Sequence, residues 1–416
     1  MPPALISVAT LAAVLIAARL AAALCGRLGQ PRFVGEILVG VCAGPHVLGL
    51  VLSEAPAIDA QALATLSSIG LALLMFLSGT QTRHLFAREH RRTIGYLLAI
   101  GTSVPFVAVL IVGRWLPTSS LLGPNGSDDT VLVVLATASA ITSIPVISRL
   151  FHDLGILRTP FASLLLGMAI LDDVILWVVV AALTAATTGA GHSAWQIALH
   201  VALTTAFLGA SLTVIPRWIP PGWIAGRAVV ATVQAAVVLA AYMFVGHLLD
   251  VAPALSAFVA GVGVAGGATA PDRAPVSPIP SSLERVAFAV LVPIYFVRVG
   301  AQLDLGAGFA PLVAAVFFVG SSAVRVAAVA AASRASGLRW RSSLHVALTA
   351  NARGGPGIVL ATIVHEAGLI NAGLFTALVL TAIATSQVAG VWLGRALRRK
   401  SPLLAWRADP EPPISD

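Results

Sequence analysis

Charge is scarce in this chain. Only 10% of its 416 residues are Asp, Glu, Lys or Arg, against about a quarter in a soluble domain, so an ordinary water-facing surface is excluded. Lysine is almost missing, with Lys400 alone among 25 basic residues. There are two cysteines, Cys25 and Cys42, both in or beside apolar runs; that is too few for a disulfide framework or a thiolate cluster. No phosphate loop, metal-ligand cluster or nucleophile–base constellation occurs. The glycine-rich "GVGVAGG" (261–267) ends an apolar run and does not follow a soluble strand, so it makes no nucleotide site. Enzyme chemistry and a resident cofactor are not expected.

What is present is hydrocarbon: 58% of the residues are hydrophobic. Runs of spanning length, about 17 to 25 residues, recur near 3–24, 33–50, 62–80, 92–114, 129–151, 160–188, 194–216, 226–250, 253–266, 284–302, 308–333, 342–367 and 371–396. This predicts an all-α polytopic membrane protein with about thirteen transmembrane helices. The first run has no basic n-region and no clear A-x-A cleavage site, so it reads as a retained span. The pI near 10.8 would suggest nucleic acid in a soluble protein. Here the arginines cluster between apolar runs, as topology signals and contacts for membrane lipids, and no nucleic-acid partner is expected. Arg27 and Arg32, Arg83 to Arg92, Arg158, Arg217 and Arg227, Arg273, Arg334 to Arg341 and the stretch Arg395 to Lys400 share one side. Glu54, Asp59, Asp128, Asp129, Asp250 and Asp304 fall on the other. That asymmetry places the N-terminus outside and the C-terminus in the cytoplasm of a cell inner (plasma) membrane protein.

Thirteen spans divide as six, one and six, the arithmetic of an inverted repeat. The transmembrane domain then covers 1–400, with repeat one at about 3–188, a linker span at about 194–216 and repeat two at about 226–396, followed by a short cytoplasmic tail, 401–416. Seven spans apart stand "TASAITSIPVISRL" (137–150) and "TANARGGPGIVLA" (349–361). Each interrupts an apolar run with small, polar and proline residues, which predicts two broken helices crossing near the midplane. Between them "MAILDDVILW" (168–177) buries two successive carboxylates, Asp172 and Asp173. A charge at mid-bilayer costs at least a few kcal/mol, so the pair marks a functional site.

Four stretches resemble the monovalent cation:proton antiporter-2 family. They are "LGQPRFVGEILVGVCAGPHVLG" (28–49), "SRLFHDLGILRTPFASLLLGMAILDDVILWVVVA" (148–181), "VPIYFVRVGAQLDL" (292–305) and "ASGLRWRSSLHVALTANARGGPG" (335–357). The resemblance implies the sodium/proton antiporter fold, a homodimer, and a core domain that moves like an elevator. It also implies exchange of Na⁺ or K⁺ for H⁺, with Asp173 as the ion ligand and Asp172 paired with the basic residue at position 325. The chain departs from the family pattern at three polar positions. Gln81 stands where Glu is usual, Gly355 replaces the Glu of A-R-G-E and leaves Arg353 without that partner, and position 325 is Arg where Lys is frequent.

Adjacent helix residues point about 100° apart, so Asp172 and Asp173 face different partners. A carboxylate in hydrocarbon binds either a proton or a hard cation, not both, and that competition suffices for exchange. Carbonyls freed by the broken helix, with the Thr142 and Ser143 hydroxyls, complete the expected cation shell, and Arg353 offsets the negative helix ends nearby. In the family an Asp-Asp pair is associated with charge-moving exchange, but an arginine at 325 does not release a proton, which favours an electroneutral cycle through Asp173 alone. A channel-like potassium efflux protein, an exporter of a small organic ion and an uncoupled sensor on the same scaffold remain alternatives. His247, His345 and His365 read as interfacial residues, and Asn351 and Gln387 as polar packing.

Overall fold

A computed structural model describes residues 3–28, 30–45, 47–50, 59–80, 91–157, 159–187, 194–213, 228–249, 251, 253–266, 281–306 and 309–406. Among these residues the regular secondary structure is helical, apart from two isolated bridges, Leu122 to Ile370 and Leu338 to Trp406. Helices satisfy their own backbone groups, which a lipid surrounding requires. In order they are α1 (Pro3–Arg27), α2 (Arg32–Ala43), α3 (Ala60–Thr80), α4 (Arg91–Trp115), α5 (Asp128–Ala140), α6 (Ile144–Asp153), α7 (Pro160–Thr187), α8 (Ala194–Thr213), α9 (Ala228–Leu248), α10 (Pro253–Gly266), α11 (281–301), α12 (Pro311–Ala335), α13 (Trp340–Ala350), α14 (Gly354–Glu366) and α15 (Ala372–Arg398). Seven of them, α1, α3, α4, α7, α9, α12 and α15, are long and apolar enough to cross a membrane. Large apolar side chains lie exposed on them, including Leu20, Val233, Leu312 and Val319.

Where the helices start and stop follows local chemistry. Ser127 caps α5 in a reciprocal box with Thr130, and Asp128 and Asp129 occupy its positive first turn. Asn371 caps α15, taking the Leu374 N–H at 2.9 Å, and Arg395 and Arg398 sit in its last turn. The run at 33–50 is helical only to Ala43, because Gly44 turns extended (ψ 178°) before Pro45. The run at 129–151 is two helices, α5 and α6, separated by extended backbone at Ile141 (φ −89°, ψ 150°). The run at 342–367 is likewise two, α13 and α14, with Gly354 at φ +29°. α4 and α11 each contain a π-helical segment, Leu97–Thr102 and Ala287–Leu291.

The chain forms two compact units. The first holds α1 to α3, the end of α7, and α8 to α11. Its helices meet at glycines. A Cβ on Gly40 would strike the Val297 carbonyl, and one on Gly300 the Ile37 carbonyl, so α2 and α11 touch backbone to backbone. Gly79 and Gly261 bring α3 and α10 together in the same reciprocal way, against Phe258 and Phe76. Small residues let membrane helices approach this closely. The second unit holds α4 to α6, most of α7, and α12 to α15. Its core includes the buried Ile144, Phe151, Phe161, Leu164, Ile358 and Phe375, with the Phe151 and Phe161 rings edge to face at 5.8 Å.

Candidate functional site

The polar centre lies within the second unit, at the two helix breaks. Thr142 follows the end of α5 and gives its hydroxyl proton to the Ala350 carbonyl at the end of α13 (2.7 Å). The Ser143 N–H donates to the Ala352 carbonyl (2.8 Å), and the Ser143 hydroxyl accepts from the Gly355 N–H (3.2 Å). The breaks therefore interlock through groups that regular helices would have used internally. Gly354 is required here: its φ is positive, and a Cβ would collide with the Val146 side chain and approach Ser143 Oγ at 2.9 Å.

α7 carries both aspartates. The Asp172 side chain is fully buried, and its Oδ2 receives an Arg325 Nη2–H at 2.7 Å from an equally buried guanidinium on α12. Its Oδ1 receives the Thr102 hydroxyl at 2.6 Å. Arg325 makes further bonds to the Gly101 carbonyl (2.6 Å), to Thr102 Oγ1 (3.3 Å) and to Thr142 Oγ1 (2.7 Å). Four of its five N–H groups are engaged, and Nε has no partner among the described residues. The ion pair is thus the hub of a network that ties α4, α7, α12 and the first break together.

Asp173 differs from its neighbour. It is 3% exposed, and its Oδ1 is buried with no hydrogen-bond partner among the described residues. None of the described residues forms an ion pair with it. Arg353, one residue before α14, is also buried. In place of a carboxylate it meets Ser321 Oγ (2.8 Å), Asn351 Oδ1 at the long distance of 3.5 Å, and the face of Phe317, 5.6 Å from the ring centre. Its own N–H faces Thr385 Oγ1 at 3.3 Å. Gln81 lies outside the described residues.

Several of these groups carry no signal in the sequence. Thr102 and Gly101 lie in what reads as an unbroken apolar run, and a π segment has no residue signature. Ser321 and Phe317 stand on α12, one and two turns before Arg325, and only the fold brings them to Arg353. His345 is covered by neighbouring segments. It is buried on α13, receives the Trp392 Nε1–H at Nδ1 (3.1 Å) and lies 3.1 Å from Ser401 Oγ through Nε2. Its partners carry no signal in the sequence, because neighbouring segments, not periodicity, decide which face of α13 is covered. Gln387 Oε1 is buried without a partner among the described residues. Cys25 and Cys42 are free thiols.

Residues 12–399 match the family model for the transmembrane region of sodium/hydrogen exchangers. The chain is similar to the Na(+)/H(+)-K(+) antiporter GerN of Bacillus cereus, 25% identical over 386 residues that cover 91% of this chain and 93% of that protein. It is similar also to the Na(+)/H(+) antiporter NhaS4 of Synechocystis sp., 26% identical over 387 residues, 89% of this chain and 92% of that one. Its fold resembles that of the sodium proton antiporter MjNhaP1 from Methanocaldococcus jannaschii, with a TM-score of 0.62, 14% identity, and coverage of 95% and 97% of the two chains.

Proposed function

The chain belongs to the sodium/hydrogen exchanger family, and from that premise we propose that it exchanges a monovalent cation, Na⁺ or K⁺, for H⁺ at Asp173. It acts as a transporter, not an enzyme. The observation that carries this reading is the contrast between two adjacent carboxylates. Asp172 has donors on both oxygens, whereas Asp173 Oδ1 is buried with none. A buried carboxylate in that condition lacks stabilisation of its charge and gains it from a proton or a cation. The two compete because either one neutralises the same group. Oxygen ligands suit an alkali cation, and the hydroxyls of Thr142 and Ser143 stand at the break beside the loosened backbone.

The aspartates, Thr102, Thr142, Ser143, Arg325 and Arg353 all belong to one unit. A cargo bound there travels with that unit, and this supports an elevator-type alternating access. Arg353 follows the C-terminal end of α13, where its charge opposes the negative helix end.

Counting each broken pair, α5 with α6 and α13 with α14, as one span gives about thirteen spans, and the breaks then fall seven apart. The glycine contacts support an inverted repeat. The offset of seven maps α2 onto α10 and α3 onto α11, so the reciprocal glycine contact of α2 with α11 maps onto that of α3 with α10. The loop arginines support an N-terminus outside the plasma membrane and a cytoplasmic C-terminus. A homodimer is the expected assembly.

The experiment is flux in proteoliposomes. An imposed gradient of Na⁺, K⁺ or Li⁺ drives measurable proton movement with the wild type, and Asp173→Asn abolishes it. Full cation-dependent proton flux in that variant would sink the proposal. Cation current without proton movement in the wild type would favour a channel instead.

A further inference from the structure

The π segment Leu97–Thr102 of α4 has a geometric consequence at Arg325. A π turn shifts the backbone hydrogen-bond register, and such segments recur at functional sites. Here the Gly101 carbonyl points at Arg325 Nη1, 2.6 Å away. A Cβ on Gly101 would lie 3.1 Å from Val329, one helical turn beyond Arg325, so the missing side chain lets α12 come close. The next residue, Thr102, completes a ring: its hydroxyl donates to Asp172 Oδ1 at 2.6 Å, Arg325 donates to Thr102 at 3.3 Å, and Arg325 donates to Asp172 Oδ2 at 2.7 Å.

The protons in this ring have a direction. The Thr142 proton goes to the Ala350 carbonyl, so Thr142 offers Arg325 only lone pairs. Arginine is a donor alone, and an ionised carboxylate is an acceptor alone. Arg325 can only donate to Asp172 Oδ2, and the Thr102 hydroxyl is placed to donate to Oδ1. Both contacts favour an ionised Asp172.

We propose that Thr102 is a positioning residue that fixes the charge state of Asp172 and thereby limits the cycle to one proton per cation, carried on Asp173. The proposal rests on the reading of Asp173 as the exchange site. Without the Thr102 donor, Asp172 keeps one unsatisfied oxygen and becomes a second site for a proton. Each turnover then carries two protons against one cation and moves charge.

The test measures exchange in proteoliposomes with and without an imposed membrane potential, across pH, for the wild type, Thr102→Val and Thr102→Ser. The wild type and Thr102→Ser run at rates independent of the potential, with proton dependence of order one. Thr102→Val responds to the potential several-fold, and its proton dependence rises toward order two. If Thr102→Val is inactive, pH-difference infrared spectra of Thr102→Val and of the parent, both carrying Asp173→Asn, decide the matter. An added protonated-carboxyl band at neutral pH in the threonine variant supports the proposal, and identical spectra overturn it. A wild-type rate that follows the potential, or a Thr102→Val rate matching the wild type in both readouts, also overturns it. Full flux in Asp173→Asn alone would instead refute the exchange site itself.

Discussion

Cutting Arg325 back to alanine leaves Asp172 as a buried charge with one hydroxyl for support. Both side chains are fully buried and meet at 2.7 Å, so water does not replace the lost partner. Breaking a buried pair from one side costs about 3–5 kcal/mol, and Asp172→Leu, which strands the guanidinium, costs a similar amount. Removing both charges in Asp172→Leu with Arg325→Met is much milder. No charge is stranded, and the residual loss is the Arg325 bonds to Gly101, Thr102 and Thr142 and the Thr102 bond to Asp172, at about 1 kcal/mol each at most. The two single changes therefore add up to more than the double change, by about 2 kcal/mol or more. Equilibrium unfolding in mixed micelles, followed by circular dichroism, measures all four corners of this cycle. Single and double changes that add within about 0.5 kcal/mol would refute the buried network, because independent sites behave that way.

Gly354→Ala forces a side chain into a positive-φ position and against Val146, and should cost at least about 2 kcal/mol in thermal unfolding; a variant as stable as the wild type would contradict the close crossing of the breaks. The indole of Trp392 is a donor only, so its bond to His345 Nδ1 exists while that nitrogen is unprotonated. That stabilisation is present while His345 is neutral and is lost when acidification protonates it. The segment after α15 rests on the same helix, with the Arg339 N–H on the Ala405 carbonyl (2.9 Å) and the Ala405 N–H on Ser342 Oγ (3.0 Å). Its hydrogen exchange, corrected for intrinsic rate, should quicken roughly tenfold on acidification, the loss of about one hydrogen bond. Trp392→Phe should flatten that dependence, and equal pH dependence in the variant would refute it.

Much of the scaffold is legible because a bilayer imposes strong rules. Apolar length finds the helices, and in "TSIP" and "RGGPG" proline or clustered glycine joins polar residues at the breaks, whereas single glycines such as Gly40 and Gly79 leave their helices intact. Asp172 and Asp173 stand out because charges in hydrocarbon need a reason. The partner of Asp172 is legible only through the family resemblance, because no local pattern links position 325 to position 172. The role of Gly101 and Thr102 was not legible, since a π turn depends on what packs against the helix. The substitutes around Arg353 were hidden for the same reason: Ser321 and Phe317 look like ordinary residues of a lipid-facing run.

The central claim is competition at Asp173, and the most direct test is proton release on cation binding. Purified protein in weak buffer is titrated with Na⁺ or K⁺ while the released protons are counted. The account predicts about one proton released per cation bound in the wild type at a pH where the empty site is fully protonated, falling to about half where it is half protonated, and none in Asp173→Asn. Cation binding without proton release in the wild type, or unchanged release in Asp173→Asn, would contradict it.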